Sequence, residues 1–410
     1  MNKEVDSKTR NYYRWYDESD NTRIKIDDDY RINLINRAIR KAGHIDLLSK
    51  NIELDRATIY NYLKGMGMSV IGLKKILEYL DINYNRINHK VIETSWNFKP
   101  NIKINNKEMA ILLAASLADG HLDDGHFMYK NLDLELRDRI KKNLFKVFGD
   151  INIREFVAKN GVPYFTTSVG VRKVLENLGS PRGKKSQVNP KVPKIVRNGT
   201  KEMKRVFIQQ FFDDEGWSER EHFRIAIAQS VDCTDQISQD FLRSMQFKKD
   251  YTPLKIPKNL RNNLRIPNLL KDIQELLIKD FNIYFNFQLK GIAKYKKRND
   301  DEYASASWDL QCSKLEEIIK FRNKINFGLT RKKESLNWML TRNRIIPKNI
   351  LNEILEISIK ETKNKGFFKT KDIAKAINLP SNMIRKRLNT LVKKGVLKNK
   401  NGDYTINFKV

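Results

Sequence analysis

Two stretches of this 410-residue chain close an apolar run with an acid followed by glycine. They are Leu112-Leu-Ala-Ala-Ser-Leu-Ala-Asp119-Gly120 and Ile208-Gln-Gln-Phe-Phe-Asp-Asp-Glu215-Gly216, and the acids are 215 − 119 = 96 residues apart. Both runs read as helices, and a carboxylate at a helix C-terminus meets a backbone dipole that already presents about half a negative charge. One such acid is ordinary. Two in matching contexts point to something cationic held against both. Ala114 and Ala118 give the first helix a small-residue face on which the second can pack closely. Packed side by side, the helices would deliver Asp119 and Glu215 to one end, where their repulsion calls for a divalent ion. Oxygen ligands without His or Cys suit Mg²⁺, or else Mn²⁺. Glycine after each acid suits a left-handed helix cap.

Such a pair supports metal-assisted phosphodiester hydrolysis. A bound ion lowers the pKa of its water and offsets charge on the phosphate and the leaving oxygen. No nucleophilic Ser or Cys and no His base is required. Asp213 and Asp214 crowd Glu215 with further charge, and either could be the ligand if the helix end shifted by a residue. Gln210 and Asp214 also stand where small residues would favour close packing.

The elements that must hold this site form a mixed α/β region over residues 105–342, in halves of about 105–200 and 201–342. A strand at residues 125–129 and a helix at 133–148 follow the first acid. After the second, Phe223, Ile225 and Ile227 alternate with Arg224, Ala226 and Ala228. In residues 304–312, Ser305, Ser307, Asp309 and Gln311 share one side. Alternation of this kind describes a sheet with one face on helices and the other free. A free polar face carrying Arg224, Ser305, Ser307 and Gln311 could read base edges in a major groove.

Helical patterns flank this region. Residues 31–90 contain short helices at 32–42, 44–51, 56–64 and 70–80, with stops at Gly43 and Gly65 and a capping Asp55. Two short helices joined by a tight turn make a helix-turn-helix of the Cro/repressor kind, with Ile59 and Leu63 inward and Arg56, Ala57, Tyr60 and Asn61 toward DNA. Residues 347–410 read as three helices and a hairpin turning at Asn401-Gly402, the pattern of a winged helix. Its third helix keeps Arg385, Lys386 and Arg387 off the apolar stripe of Ile384, Leu388 and Leu391. From Ser381 to the end, eight Lys and Arg face the single acid Asp403. Residues 1–30 show no clear period, and no role is assigned to them.

Bulk composition agrees with a polyanionic partner. The chain has 79 Lys+Arg against 49 Asp+Glu, a net charge of +30. At 40% hydrophobic it can build cores, which excludes disorder throughout. Cys233 and Cys312 alone cannot form a disulfide framework or a cysteine zinc site. No apolar run is long enough for a signal peptide or a membrane span, so a soluble, cytoplasmic protein is expected.

The central region resembles a single-chain, two-motif LAGLIDADG homing endonuclease. The resemblance rests on the two acid-ending helices, on Leu178-Gly-Ser-Pro-Arg-Gly-Lys-Lys185-Ser with Val192-Pro193, and on Phe327-Gly-Leu-Thr-Arg-Lys-Lys-Glu-Ser-Leu336. It implies a pseudo-twofold αββαββα core, a monomer acting on double-stranded DNA, and Mg²⁺-dependent cleavage of both strands. It also implies metal held at Asp119, Gly120, Glu215 and Gly216, with basic helpers at Lys184 or Lys185 and at Lys332 or Lys333; Lys185 and Lys333 are the members taken here. An intein would need a nucleophilic first residue and a C-terminal Asn, whereas the ends here read Met1-Asn2-Lys3 and Asn407-Phe-Lys-Val410, so a free-standing nuclease of the mobile-element kind is expected. The other class to weigh is a transcription regulator on a catalytically inactive scaffold, which would have no need of both acids at unfavourable helix ends. An RNA-directed maturase is a further alternative.

Overall fold

The computed structural model describes residues 11–94, 101–219, 223–245, 263–296, 302–344, 350–377 and 381–407. The Met1–Asn2–Lys3 start and the last three residues lie outside them. The chain forms two compact units: Met1–Glu215 with Gln229–Asp280 and Leu289–Trp308, and Gly216–Ala228 with Phe281–Gln288 and Asp309–Val410.

The first unit opens with strands β1 (Tyr12–Arg14) and β2 (Arg23–Ile26), separated by a 3-10 turn at Trp15–Asp17. Helices α1 (Asp28–Ala42), α2 (Ile45–Asn51) and α3 (Arg56–Leu63) follow, then β3 (Met68–Ser69), α4 (Val70–Tyr79) and β4 (Val91–Thr94). Local chemistry sets their ends. Asp27 accepts the Tyr30 amide at the start of α1, Asp28 and Asp29 occupy its first turn, and Gly43 stops it at φ +94°. Gly65 stops α3 at φ +99°. The Asp55 side chain accepts no backbone hydrogen bond at the start of α3, so the expected cap is absent, while burial of Ile59 and Tyr62 holds that helix.

Trp15, Ile24 and Ile26 are buried in the same core as Leu34, Ile35, Leu48, Ile59, Leu73 and Ile76. The aromatic start of the chain is therefore part of this fold, and β2 lies between β3 and β4 in its sheet. Strands of three or four residues leave too little pattern for a period to show.

Next, β5 (Asn101–Lys103) pairs antiparallel with β1 and leads into α5 (Lys107–Leu117). Then come β6 (Gly120–Leu122), β7 (Phe127–Lys130), α6 (Leu134–Phe148), β8 (Arg154–Val157), β9 (Pro163–Thr166) and α7 (Val169–Asn177), with sheet order β6-β7-β9-β8. Short helices α8 (Lys185–Val188) and α9 (Lys194–Arg197) lead to α10 (Lys201–Glu215).

The same order then recurs: β10 (Gly216–Glu219), β11 (Arg224–Asp232), α11 (Gln239–Ser244), α12 (Asn268–Phe281), β12 (Asn286–Lys296), β13 (Glu302–Cys312) and α13 (Leu315–Lys324), with sheet order β10-β11-β13-β12. In both runs a motif helix precedes two strands, a helical segment (α6 in the first, α11 and α12 in the second), two strands and a helix, and the fourth strand lies between the second and third. The chain is thus a mixed α/β protein with an internal repeat of topology.

The second unit adds α14 (Thr330–Arg344), then α15 (Ile350–Lys365), β14 (Phe368–Lys369), α16 (Thr370–Ile377), α17 (Ser381–Lys393), β15 (Leu397–Lys400) and β16 (Asp403–Ile406). Ile354, Phe368, Ile373, Ile384, Leu388 and Tyr404 form a core among these last elements. Asn401 and Gly402 both take positive φ between β15 and β16, as a two-residue hairpin turn requires. Among the described residues no helix is long and apolar enough to cross a membrane.

Candidate active site

Helix α5 is buried on nearly every side and packs along α10. Asp119 follows the C-cap Ala118 of α5, and Glu215 is the last residue of α10. Asn131, just past β7, donates Nδ2 to Asp119 Oδ2 at 2.6 Å and fixes that carboxylate. Lys185, the first residue of α8, turns its ammonium to the end of α5 and donates to the carbonyl oxygens of Ala118 and of Gly120, the latter at 2.7 Å. Burial lowers the Lys185 pKa, and the charges of Glu215, Asp119 and Asp214 oppose that shift. The two motif acids thus act on one ammonium. In the second unit, Lys332 is buried and donates to the carbonyl oxygen of Gly216 at 2.6 Å. Each acid–glycine step therefore has a lysine seated on its glycine carbonyl.

Of each lysine pair one member points inward. Lys184 is exposed, with its ammonium 5.6 Å from the Tyr303 ring centroid. Lys333 is exposed as well, whereas Lys332 is buried, because the register of α14 turns residue 332 to the core.

Gly120 differs from the expected left-handed cap. Its φ is not positive; instead an added Cβ would stand 2.6 Å from the Ala115 carbonyl oxygen and 2.8 Å from Phe127 Cε2. The glycine is required by close approach.

The polar residues of α10 that looked out of place have partners. Tyr129 donates to Asp214 Oδ1 at 2.6 Å and Gln210 Nε2 to the same oxygen at 3.0 Å. Arg139 on α6 forms an ion pair with the buried Asp213 and also reaches Gln210 Oε1 at 3.3 Å. A polar lock thus ties α10 to β7 and α6 where small residues were expected. Asp213 is committed to Arg139, which leaves Asp214 and Glu215 nearest Asp119 and Lys185. Desolvation, together with the Asp119 charge, pushes the Asp214 carboxyl well above the usual carboxylate range, and its Oδ2 has no hydrogen-bond partner.

This donor set fits a hard divalent cation. It offers carboxylate oxygens from Asp119 and Glu215; the Gly120 carbonyl already accepts from Lys185, and Asp214 from Tyr129 and Gln210. Among the described residues no three His, Cys, Asp or Glu side chains stand close enough to hold an ion alone. Mg²⁺ commonly takes one or two carboxylates and completes its shell with water and substrate phosphates.

The residues assigned to DNA lie in different settings. Ser305 and Ser307 are buried in β13, and Ser305 donates to the Val231 carbonyl at 3.3 Å. The expected free face is therefore corrected there: a central strand covered on both sides offers neither serine to a groove. Arg224 and Gln311 are half-buried and bond each other at 2.9 Å, and Arg224 also pairs with Glu219. Arg56, Tyr60 and Asn61 are exposed on α3, with Arg56 3.0 Å from Asp46 and 5.5 Å from the Tyr60 ring. Arg385 and Lys386 are exposed on α17, whereas Arg387 is half-buried and donates to the Met383 carbonyl at 3.2 Å.

One exposed face went unnoticed in the sequence. Strand register places His121, Met128, Lys130, Arg154, Phe156 and Tyr164 on the side of the first sheet away from Phe127, Tyr129 and Phe165. Phe156 and Tyr164 stack there at 5.3 Å. Because β8 is an edge strand exposed along its length, it shows no apolar alternation to read.

No family model matches the chain. It is 26% identical over 287 residues to the replication factor C small subunit of Methanocaldococcus jannaschii, a match covering 65% of this chain and 15% of that protein. The chain thus spans a small part of that relative's length. Among solved structures it is similar to mesophilic variants of the homing endonuclease I-DmoI, with TM-score 0.32 and 11% identity over 57% of this chain and 97% of that one. It is also similar to the N-terminal LAGLIDADG domain of DUF199/WhiA, with TM-score 0.31 and 15% identity over 56% of this chain and 87% of that one.

Proposed function

We propose that the chain is a site-specific endonuclease that hydrolyses both strands of duplex DNA with divalent metal ions. The observation that carries this reading is the repeated acid–glycine step, each with a lysine on the glycine carbonyl: Asp119-Gly120 with Lys185, and Glu215-Gly216 with Lys332. A scaffold kept only for binding would gain nothing from acids at helix C-termini.

Asp119 and Glu215 would hold the ion, which when bound supplies an activated water and neutralises charge on the scissile phosphate. Asn131 orients the Asp119 carboxylate. Lys185 and Lys332 supply positive charge beside the phosphate without proton transfer. Tyr129 and Gln210 hold the Asp214 carboxyl in place. On the basic flanks, exposed Arg56, Tyr60 and Asn61 of α3, and Arg385 and Lys386 of α17, would extend contact along the duplex.

A supercoiled plasmid library incubated with Mg²⁺ should yield linear product cut at one sequence. Asp119→Asn should reduce cutting by about a hundredfold or more while metal-free DNA binding persists. Undiminished cutting by an Asp119→Asn/Glu215→Gln double variant would overturn the assignment.

A further inference from the structure

The helical bundle formed by α1 to α4 and the first acid-bearing helix are joined by more than the chain running between them. Strand β1, just ahead of the bundle, pairs with β5, which runs directly into α5. Arg14 donates to Asn101 Oδ1 at 2.6 Å, and the Ile104 amide donates to the Asn11 carbonyl at 2.9 Å. Tyr13 at the centre of β1 is buried, and Asn177 at the end of α7 donates to its hydroxyl at 2.9 Å. Lys173 on α7 reaches Ser19 Oγ at 3.1 Å, and the next large side chain after β1, Trp15, lies in the core of the bundle. The bundle is therefore anchored to the α5 side by a strand pair and to α7 by side chains. One covalent tether lets two bodies swing; two further attachments on different elements do not.

We propose that α3 and Asp119 belong to one rigid DNA-reading body, so that the duplex segment contacted by Arg56, Tyr60 and Asn61 lies at a fixed number of base pairs from the phosphate cut at Asp119. The inference rests on the endonuclease reading for its ligand. It makes the long site indivisible on that flank. Sequence read by α3 strengthens binding only at one spacing, because the second contact is lost when geometry forbids simultaneous engagement.

Two measurements on the full chain test this. Spin labels at Asn51→Cys on α2 and Lys142→Cys on α6, both exposed positions, should give one narrow distance distribution in the absence of DNA; a broad one overturns the proposal. On a target selected from random DNA by metal-free binding, insertion of about 5 or about 10 base pairs, a half or a whole helical turn, between the α3-protected flank and the rest of the footprint should weaken metal-free binding by about a hundredfold. Binding that tolerates either insertion, or a footprint lacking that flank, overturns it even when the distances are narrow. The two readings fail separately: a broad distribution with cutting intact removes only the rigid body, whereas fixed-spacing binding without cutting leaves it standing and removes the nuclease.

Discussion

Lys185 and Lys332 reach the same atom of the same step, the carbonyl oxygen of the glycine after an acid, from different parts of the chain. A lysine that enters such a site must shed water, and for Lys185 that burial lowers its pKa against the pull of nearby carboxylates. On the proposed endonuclease reading, such an ammonium would meet the developing charge of the phosphate. If the chain cuts DNA as proposed, Lys332→Met should slow cutting of one strand by about a hundredfold and let nicked plasmid accumulate, whereas Lys333→Met, at an exposed position, should leave the ratio of nicked to linear product unchanged. Gel analysis of a plasmid time course separates the two. The two acids stand out in the sequence because a carboxylate at a helix end is costly. The choice within each lysine pair does not, since only the placed register of α8 and α14 decides which neighbour turns inward.

Between elements, the contact of α5 with α10 is secured by charge as well as by shape. Arg139 and Asp213 form an ion pair with the acid fully covered, so removing only the arginine leaves an uncompensated buried charge. Arg139→Ala should lower the unfolding free energy by about 3 kcal/mol, and the Arg139→Ala/Asp213→Ala variant should recover part of it, read by urea titration. A second element-level effect involves the turn after β1. Burial raises Glu18 from 4.5 to about 7, opposed by the Lys173 charge and by hydrogen bonds from Tyr13 and Thr22, with Asp17 adding to the rise. A carboxyl whose folded pKa is raised binds more protons folded than unfolded between those two values. Stability from this group is therefore present at low pH and falls as pH climbs through that window, by about 3 kcal/mol in all. Glu18→Gln should be more stable than the parent at pH 8 and show a flatter dependence between pH 5 and pH 8 in urea melts. Neither the Glu18 pocket nor the β1–β5 pair could be read from the chain, because strands of three residues carry no period and their partners lie far away in sequence. Alternation in β13 did show which residues share a side. It could not show that both sides are covered, which is why Ser305 and Ser307 were misjudged.

Across the whole chain, the repeat of topology was legible in outline from two similar helices 96 residues apart (215 − 119) and like patterns after each. The net charge of +30 is spread over both flanks and the central region. If the chain holds duplex DNA through phosphates, the logarithm of its binding constant should fall linearly with the logarithm of salt, at about −0.9 per phosphate contacted. Deleting residues 347–410 should shorten the footprint and reduce that slope, measured by gel shift from low to moderate salt. An unchanged slope would mean that the exposed Arg385 and Lys386 do not meet the backbone.

The strand carrying Gly120 leaves α5 so tightly that one methyl group at that position would collide with main chain. Substitution there would be felt first in the cell as scarcity of folded protein, before any question of cutting arises. On the endonuclease reading, a genetic screen for inactive variants should find changes at Asp119 as abundant but silent protein, and changes at its neighbour as protein that has largely disappeared.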